Sequence, residues 1–182
     1  DKLGHPVFEI TIQPPSIPGM RLNAQLTRMA SAKARVILGS PLTAIHTADG
    51  RIQAVDYASA GRATRVETRA VILAAGGFES GALELDSYGA VADTVCGLPV
   101  MGPTGQLLHA DFWGDEQPLF LAGLAVDDSM RVVDDNGTPV YTNLFAAGGN
   151  LAGATRWREK SGEGIALASA LAAVDAIVEE LK

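Results

Sequence analysis

Two glycine pairs mark where this sequence could do chemistry. Gly76-Gly77 ends the apolar run Ala70-Val71-Ile72-Leu73-Ala74-Ala75, and Gly148-Gly149 ends a second run from Val140 to Ala147. A third glycine-rich point, Ser161-Gly162-Glu163-Gly164, opens the last helical segment. Glycine lets a ligand or another backbone approach where a side chain would obstruct it. A helix N-terminus adds unsatisfied N–H donors and about half a positive charge. Together these features suit a phosphate or the electron-rich edge of a heteroaromatic ring. The same glycines have a plainer reading, in which they only close tight turns.

The charged and titratable side chains carry less. Arg156, Arg158 and Lys160 precede the last helix and offer forked donors to an anionic group such as a phosphate monoester; alternatively they form a solvated basic turn balanced by Glu159 and Glu163. His5, His46 and His109 are isolated from one another and read as surface or partly buried residues rather than general bases. Asp127-Asp128 and Asp134-Asp135 look like paired carboxylates, but turns use Asp at the same spacing, and no metal site is expected. Cys96 is the one cysteine, which excludes an internal disulfide or a multi-cysteine metal or iron–sulfur site within this chain. It reads as a small apolar filler.

These residues need elements to position them. A chain of 182 residues can bury a core as one domain or two small ones. With 47% apolar residues, 19% charged residues and 20 glycines, it reads as an α/β enzyme. The net charge of −7 argues against nucleic-acid binding, which needs clustered Lys and Arg. No apolar run approaches the roughly 20 residues that span a bilayer, and Asp1-Lys2-Leu3-Gly4 has no signal-peptide pattern. The expectation is a chain soluble by itself. The missing initial methionine fits either an excised piece or N-terminal processing.

Along the chain, Val7 to Ile12 reads as a strand running into a stiff loop at Gln13-Pro14-Pro15-Ser16-Ile17-Pro18-Gly19. Met20, Leu22, Leu26, Met29 and Ala30 predict an amphipathic helix from Met20 to about Lys33. Strands are expected over Arg35–Leu38, Pro41–His46, Ile52–Tyr57 and Thr64–Thr68, with an Asp49-Gly50 turn, giving an antiparallel meander inserted at about 35–69. The run before Gly76 is apolar on consecutive residues, the pattern of a strand buried on both faces of a parallel sheet. Residues 81–121 are rich in turns, with a short helix from Gln106 to Trp113. A strand over Ala125–Val133, a turn at Asp134-Asp135-Asn136-Gly137, a buried strand over Val140–Ala147 and a helix from Gly162 to Leu181 complete the pattern, with Ser161 as N-cap and a solvated end at Glu179, Glu180 and Lys182.

At this point the sequence resembles a known family. Pro14-Pro15-Ser16-Ile17-Pro18-Gly19-Met20-Arg21-Leu22, then Arg69-Ala70-Val71-Ile72-Leu73-Ala74-Ala75-Gly76-Gly77-Phe78, then Thr142-Asn143-Leu144-Phe145-Ala146-Ala147-Gly148-Gly149-Asn150-Leu151-Ala152-Gly153, are similar in order and spacing to the fumarate-reductase-like flavoproteins, and among them to the B-subunit family of anaerobic glycerol-3-phosphate dehydrogenase. The resemblance runs over nearly the whole chain. It implies the C-terminal part of a flavin-binding oxidoreductase domain: a partial Rossmann-like FAD/NAD(P)-binding α/β layer with the meander inserted. It further implies FAD or FMN as cofactor, with Gly76, Gly77, Gly148, Gly149, Asn150, Ser161, Gly162, Glu163 and Gly164 along it. The implied partners are a catalytic FAD subunit, an iron–sulfur membrane-anchor subunit and glycerol 3-phosphate, with electrons passing to quinone on the cytoplasmic side of the inner membrane. Arg156 and Arg158 are the substrate candidates. Relatives carry Glu where this chain has Asn150, and their Gly-x-Gly-x-x-Gly phosphate loop has no counterpart here, so this stretch by itself is expected neither to retain flavin nor to turn over.

Overall fold

A computed structural model describes residues 4–6, 8, 16–59, 61–111 and 114–182. The strand expected over Val7–Ile12 and most of the proline loop lie outside them. The chain divides into two units, Asp1–Ser40 and Pro41–Lys182.

In the first unit, helix α1 spans Ile17–Ser31. It begins three residues before the periodicity predicts, because Pro18 sits in the first turn, where no N–H is needed, and the Ser16 hydroxyl accepts from Gly19 N–H at 3.2 Å. The residues read as a stiff loop thus open the helix. The strand expected over Arg35–Leu38 is absent. A β-branched run forms a strand only beside a partner, and this unit offers none among its described residues.

The second unit contains three small sheets. Strands β1 (Leu42–Ala48), β2 (Arg51–Ser59) and β3 (Arg62–Glu67) form the antiparallel meander, in the order β1-β2-β3. The β1–β2 turn is Asp49-Gly50, both at positive φ of 51° and 70°, the mirror-image turn whose twist matches the strands. Ile45 pairs with Val55 and Val55 with Val66, so one apolar row crosses the meander while Asp56 and Arg65 pair on the other face.

Strands β4 (Val71–Leu73) and β7 (Leu144–Ala146) run parallel, Val71 opposite Leu144 and Leu73 opposite Ala146. Both are shorter than their apolar runs predict, and only β7, flanked on its other edge by the isolated pairing of Phe145 with Arg131, is buried throughout; β4 is half-buried at Val71 and Ile72. Strands β5 (Leu83–Leu85) and β6 (Val91–Asp93) make an antiparallel pair in the region where the sequence pattern shows only turns.

The core gathers Ile52 from β2, Leu73 from β4, Leu144 and Ala146 from β7, and Leu98, Leu124 and Val132 from the connecting segments. Each large apolar side chain buried here contributes roughly 1.5–3 kcal/mol. Two expected elements give way to turns. The strand over Ala125–Val133 folds back on itself at residues 127–130, because Asp127 Oδ1 accepts from both Ser129 and Arg131 N–H at 2.9 Å, leaving an isolated pairing of Val126 with Val132. The described part of the Gln106–Trp113 helix is a loop: Gln117 takes the His109 N–H at 2.6 Å and donates to the His109 and Asp111 carbonyls, groups that a helix would need for itself.

Helix α2 (Arg156–Glu159) leads into α3 (Gly162–Glu180). The inner face of α3, at Ser169 and Ala173, is buried, and Leu167, Leu171, Val174 and Val178 stand exposed along another stripe. Its end is exposed at Glu179, Glu180 and Lys182, as expected, and Glu180 pairs with Arg131, whose guanidinium also lies 6.0 Å from the Phe145 ring centroid. No helix among the described residues is long and apolar enough to cross a membrane.

Candidate functional site

Because β4 and β7 are parallel, the glycines that follow them leave the sheet on the same edge. Gly76 and Gly148 take positive φ of 84° and 80°, conformations that side chains disfavour. Their neighbours are needed for space. A methyl group on Gly77 would come within 2.7 Å of the Gly149 carbonyl oxygen and 2.9 Å of Arg156 Nη2, and one on Gly149 within 2.9 Å of Arg156 Nη1. Two bare backbone segments therefore abut, with the Arg156 guanidinium against them. Arg156 Nη2 in turn donates to Glu79, 3.0 Å to Oε2 and 3.3 Å to Oε1.

Buried side chains fix this edge. Gly148 N–H donates to Ser169 Oγ at 2.9 Å, and the Ser169 hydroxyl donates to the Ile165 carbonyl at 2.5 Å, so the post-β7 turn is tied to the second turn of α3. Asn150 lies in the core, 2% exposed, and donates from Nδ2 to the Leu73 carbonyl at 3.0 Å. Its Oδ1 is buried without a partner among the described residues. Such an acceptor carries a desolvation cost until a donor reaches it. On the opposite side, Asn143 accepts from Ile52 N–H at 2.8 Å and donates to the Ile52 and Arg69 carbonyls at 2.8 and 3.0 Å, latching the meander to β7.

The start of α3 differs from the expectation in one respect. Ser161 occupies the N-cap position, but its hydroxyl donates to Glu159 Oε2 at 2.8 Å instead of capping the helix. Thr155 Oγ1 donates to the other Glu159 oxygen at 2.7 Å, and these two hydrogen bonds, Thr155 first, hold that carboxyl below its ordinary range. Glu159 thus serves its own turn, and Arg156 finds its counter-charge in Glu79. Gly162 and Gly164 face open space, Glu163 is exposed beside them, and Arg158 and Lys160 are exposed at the end of α2.

The family described as FAD binding domain matches residues 2–165. The chain belongs to the FAD-binding-domain family. Two strains of Halobacterium salinarum carry a curated relative named as the probable B subunit of anaerobic glycerol-3-phosphate dehydrogenase, 30% identical over 185 residues, a match that covers all of this chain and 43% of the relative. The B subunit of anaerobic glycerol-3-phosphate dehydrogenase from Glaesserella parasuis serovar 5 is 25% identical over 179 residues, covering 94% of this chain and 41% of that protein. The chain spans less than half the length of these curated relatives. No solved structure matches.

In this FAD-binding-domain chain, the glycine ends of the parallel pair are where two bare backbone segments meet. Sequence reasoning missed Glu79, Asn143 and Ser169, each of which shapes that edge. Ser169 was visible as a lone polar residue within an apolar run, and Asn143 as a polar residue directly before the run Leu144–Ala147; Glu79 gave no signal beyond following Gly76-Gly77-Phe78.

The other titratable groups lie elsewhere. His46 Nε2 lies 2.7 Å from Asp56 Oδ2, and Arg65 donates to both Asp56 oxygens at 2.9 and 3.1 Å. The Arg65 guanidinium, and His46 after it, hold the Asp56 carboxyl well below the usual carboxylate range. An open groove beside them, lined by Gln53, Ala54, Glu67 and Arg69 among others, contains none of the glycines. His5 and His109 are exposed. Asp127 and Asp134 each accept two backbone N–H bonds in their own turns, and no cluster among the described residues could hold a metal ion. Burial, with Asp93 nearby, pushes the Cys96 thiol up to about 11, the behaviour of an inert filler.

Proposed function

We propose that this chain is the C-terminal part of a flavin-bearing subunit of a quinone-linked glycerol-3-phosphate dehydrogenase, in which glycerol 3-phosphate is oxidised to dihydroxyacetone phosphate. The observation that carries the reading is the glycine edge at the carboxyl ends of β4 and β7, the position where open α/β sheets receive ligands. The residues fit a flavin of the FAD or FMN type: Gly77 and Gly149 leave the backbone bare, Asn150 Oδ1 awaits a donor, and the glycines opening α3 are unobstructed. In a Rossmann-like layer completed by further chain, Gly76, Gly77, Gly148, Gly149 and Ser161–Gly164 would lie along it. Flavin chemistry, when the cofactor is bound, would take a hydride from the carbinol carbon of the substrate, the hydroxyl proton leaving to solvent. This chain's residues exclude water and orient, and Arg158, free of the glycine edge, is the better placed of the two arginines to meet a phosphate.

Electrons then pass to a catalytic FAD subunit, an iron–sulfur anchor and membrane quinone, with the complex held peripherally on the cytoplasmic face. The exposed α3 stripe of Leu167, Leu171, Val174 and Val178 supports a second reading, a subunit whose main task is docking. The purified complex, loaded with flavin, is expected to reduce a quinone analogue with glycerol 3-phosphate and not with glycerol. Equal inactivity with both would remove the dehydrogenase reading and favour the docking one.

A further inference from the structure

Arg156 covers a place where the two glycine-ended segments meet, at Gly77 and Gly149. Its Nη1 and Cζ lie 2.9 and 3.2 Å from where a Gly149 side chain would begin, and its Nη2 lies 2.9 Å from where one on Gly77 would begin. A guanidinium is flat and delocalised, and it rests on planar groups as an aromatic ring does. From this geometry we infer that Arg156 is a displaceable plug: a planar cation that occupies the glycine edge and yields it to a planar ring system. The inference rests on the flavin reading and adds to it how access to the site is controlled.

Three observations make the plug removable. Its anchor, Glu79, is nearly half exposed while the Arg156 side chain is a quarter exposed, so water reaches the carboxylate side of the pair and weakens it. Arg156 begins a helix of only four residues, which Lys160 closes in a left-handed conformation, so it has little regular structure to hold it. The strand ends are held without it, through Ser169 to Gly148 and Asn150 to Leu73. A ligand that enters therefore displaces Arg156 from Glu79 and leaves the tethers of the strand ends intact. The competing role is a structural clasp, in which Arg156 and Glu79 fasten the turn after β4 to α2 and stay together in every state.

The two roles separate in the full-length protein, stripped of flavin and mixed with FAD or FMN while the quenching of flavin fluorescence is followed. For a plug, R156A and E79Q both load faster than the unaltered protein, by roughly two- to fivefold, the scale of an exposed ion pair. A thermal double-mutant cycle on Arg156 and Glu79 then shows coupling in the flavin-free protein that disappears on loading. A clasp gives slower loading in R156A and coupling that persists after loading, and either result overturns the plug while leaving the flavin reading in place. R156A that loads where the unaltered protein does not supports the plug in its strongest form. Failure of both proteins to take up flavin overturns the flavin reading, and the plug falls with it.

Discussion

The meander and the parallel strand pair are built from similar apolar residues, yet they hold their shape by different means. The meander has strands of six to nine residues, joined by extended ladders, unbroken between β2 and β3 and shifted in register at two points between β1 and β2. The parallel pair has three residues a side and depends on side chains reaching the backbone from elsewhere: Asn143 to Ile52 and Arg69, Asn150 to Leu73, Ser169 to Gly148. A ladder is cooperative and tolerant of change at any one side chain, whereas tethers concentrate stability in a few buried polar groups. The second arrangement leaves the ends of the strands bare, which a ligand-binding edge requires.

The largest expected effect comes from cutting a tether. Asn143→Leu strands the buried Ile52 N–H and removes the amide donor from the Ile52 and Arg69 carbonyls, the latter still accepting from Arg51 Nη2 at 3.1 Å, at about 1–3 kcal/mol for each group left buried and unpaired. Urea denaturation should show a loss of at least about 2 kcal/mol, while a leucine at exposed Thr43 on β1 should cost less than about 0.5 kcal/mol. Equal losses would erase the distinction between the two regions.

A smaller effect separates glycines that serve conformation from those that serve space. Gly50 needs its positive φ and has nothing within 4 Å of an added carbon, whereas an added carbon on Gly77 meets backbone at 2.7 Å. Gly50→Ala should cost about 1 kcal/mol, most of it recovered by Asn, which tolerates left-handed geometry. Gly77→Ala should cost about 1–3 kcal/mol through overpacking, with no recovery in Gly77→Asn. Thermal denaturation of the four variants checks this.

The smallest effect belongs to the face of the meander. The folded Asp56 carboxyl titrates below the roughly 3.9 of an unfolded aspartate, because Arg65 and then His46 favour its charged form. Its stabilisation is therefore present above about pH 4 and is lost as pH falls through the lower folded value. The urea midpoint of the unaltered protein should fall more steeply below about pH 4 than that of Asp56→Asn. High salt should shrink the difference, since the pair faces solvent.

The same contrast explains what was legible in the sequence. The Asp49-Gly50 turn and the alternating residues around it encode the meander locally, and the structure has its three strands from Leu42 onward with boundaries shifted by a few residues, while the strand expected over Arg35–Leu38 is absent. The continuous apolar runs before Gly76 and Gly148 announced a parallel pair for a similar reason. Strand lengths there were overestimated because an apolar run records burial, and burial extends past the ladder. The turns at Asp127 and Gln117 were missed, since each depends on a side chain capturing backbone groups that periodicity does not see. Among the proposed binding positions the glycines were readable from type and spacing; the pairing of Arg156 with Glu79, 77 residues apart, was not.

If the glycine edge is half of a flavin site completed by further chain, flavin retention must depend on chain length. The most direct test is the visible absorbance and released-flavin content of the full-length protein next to this 182-residue stretch, both produced with flavin in excess. Near-stoichiometric flavin in the full-length protein and none in the shorter chain is the predicted result; a colourless full-length protein would contradict the account.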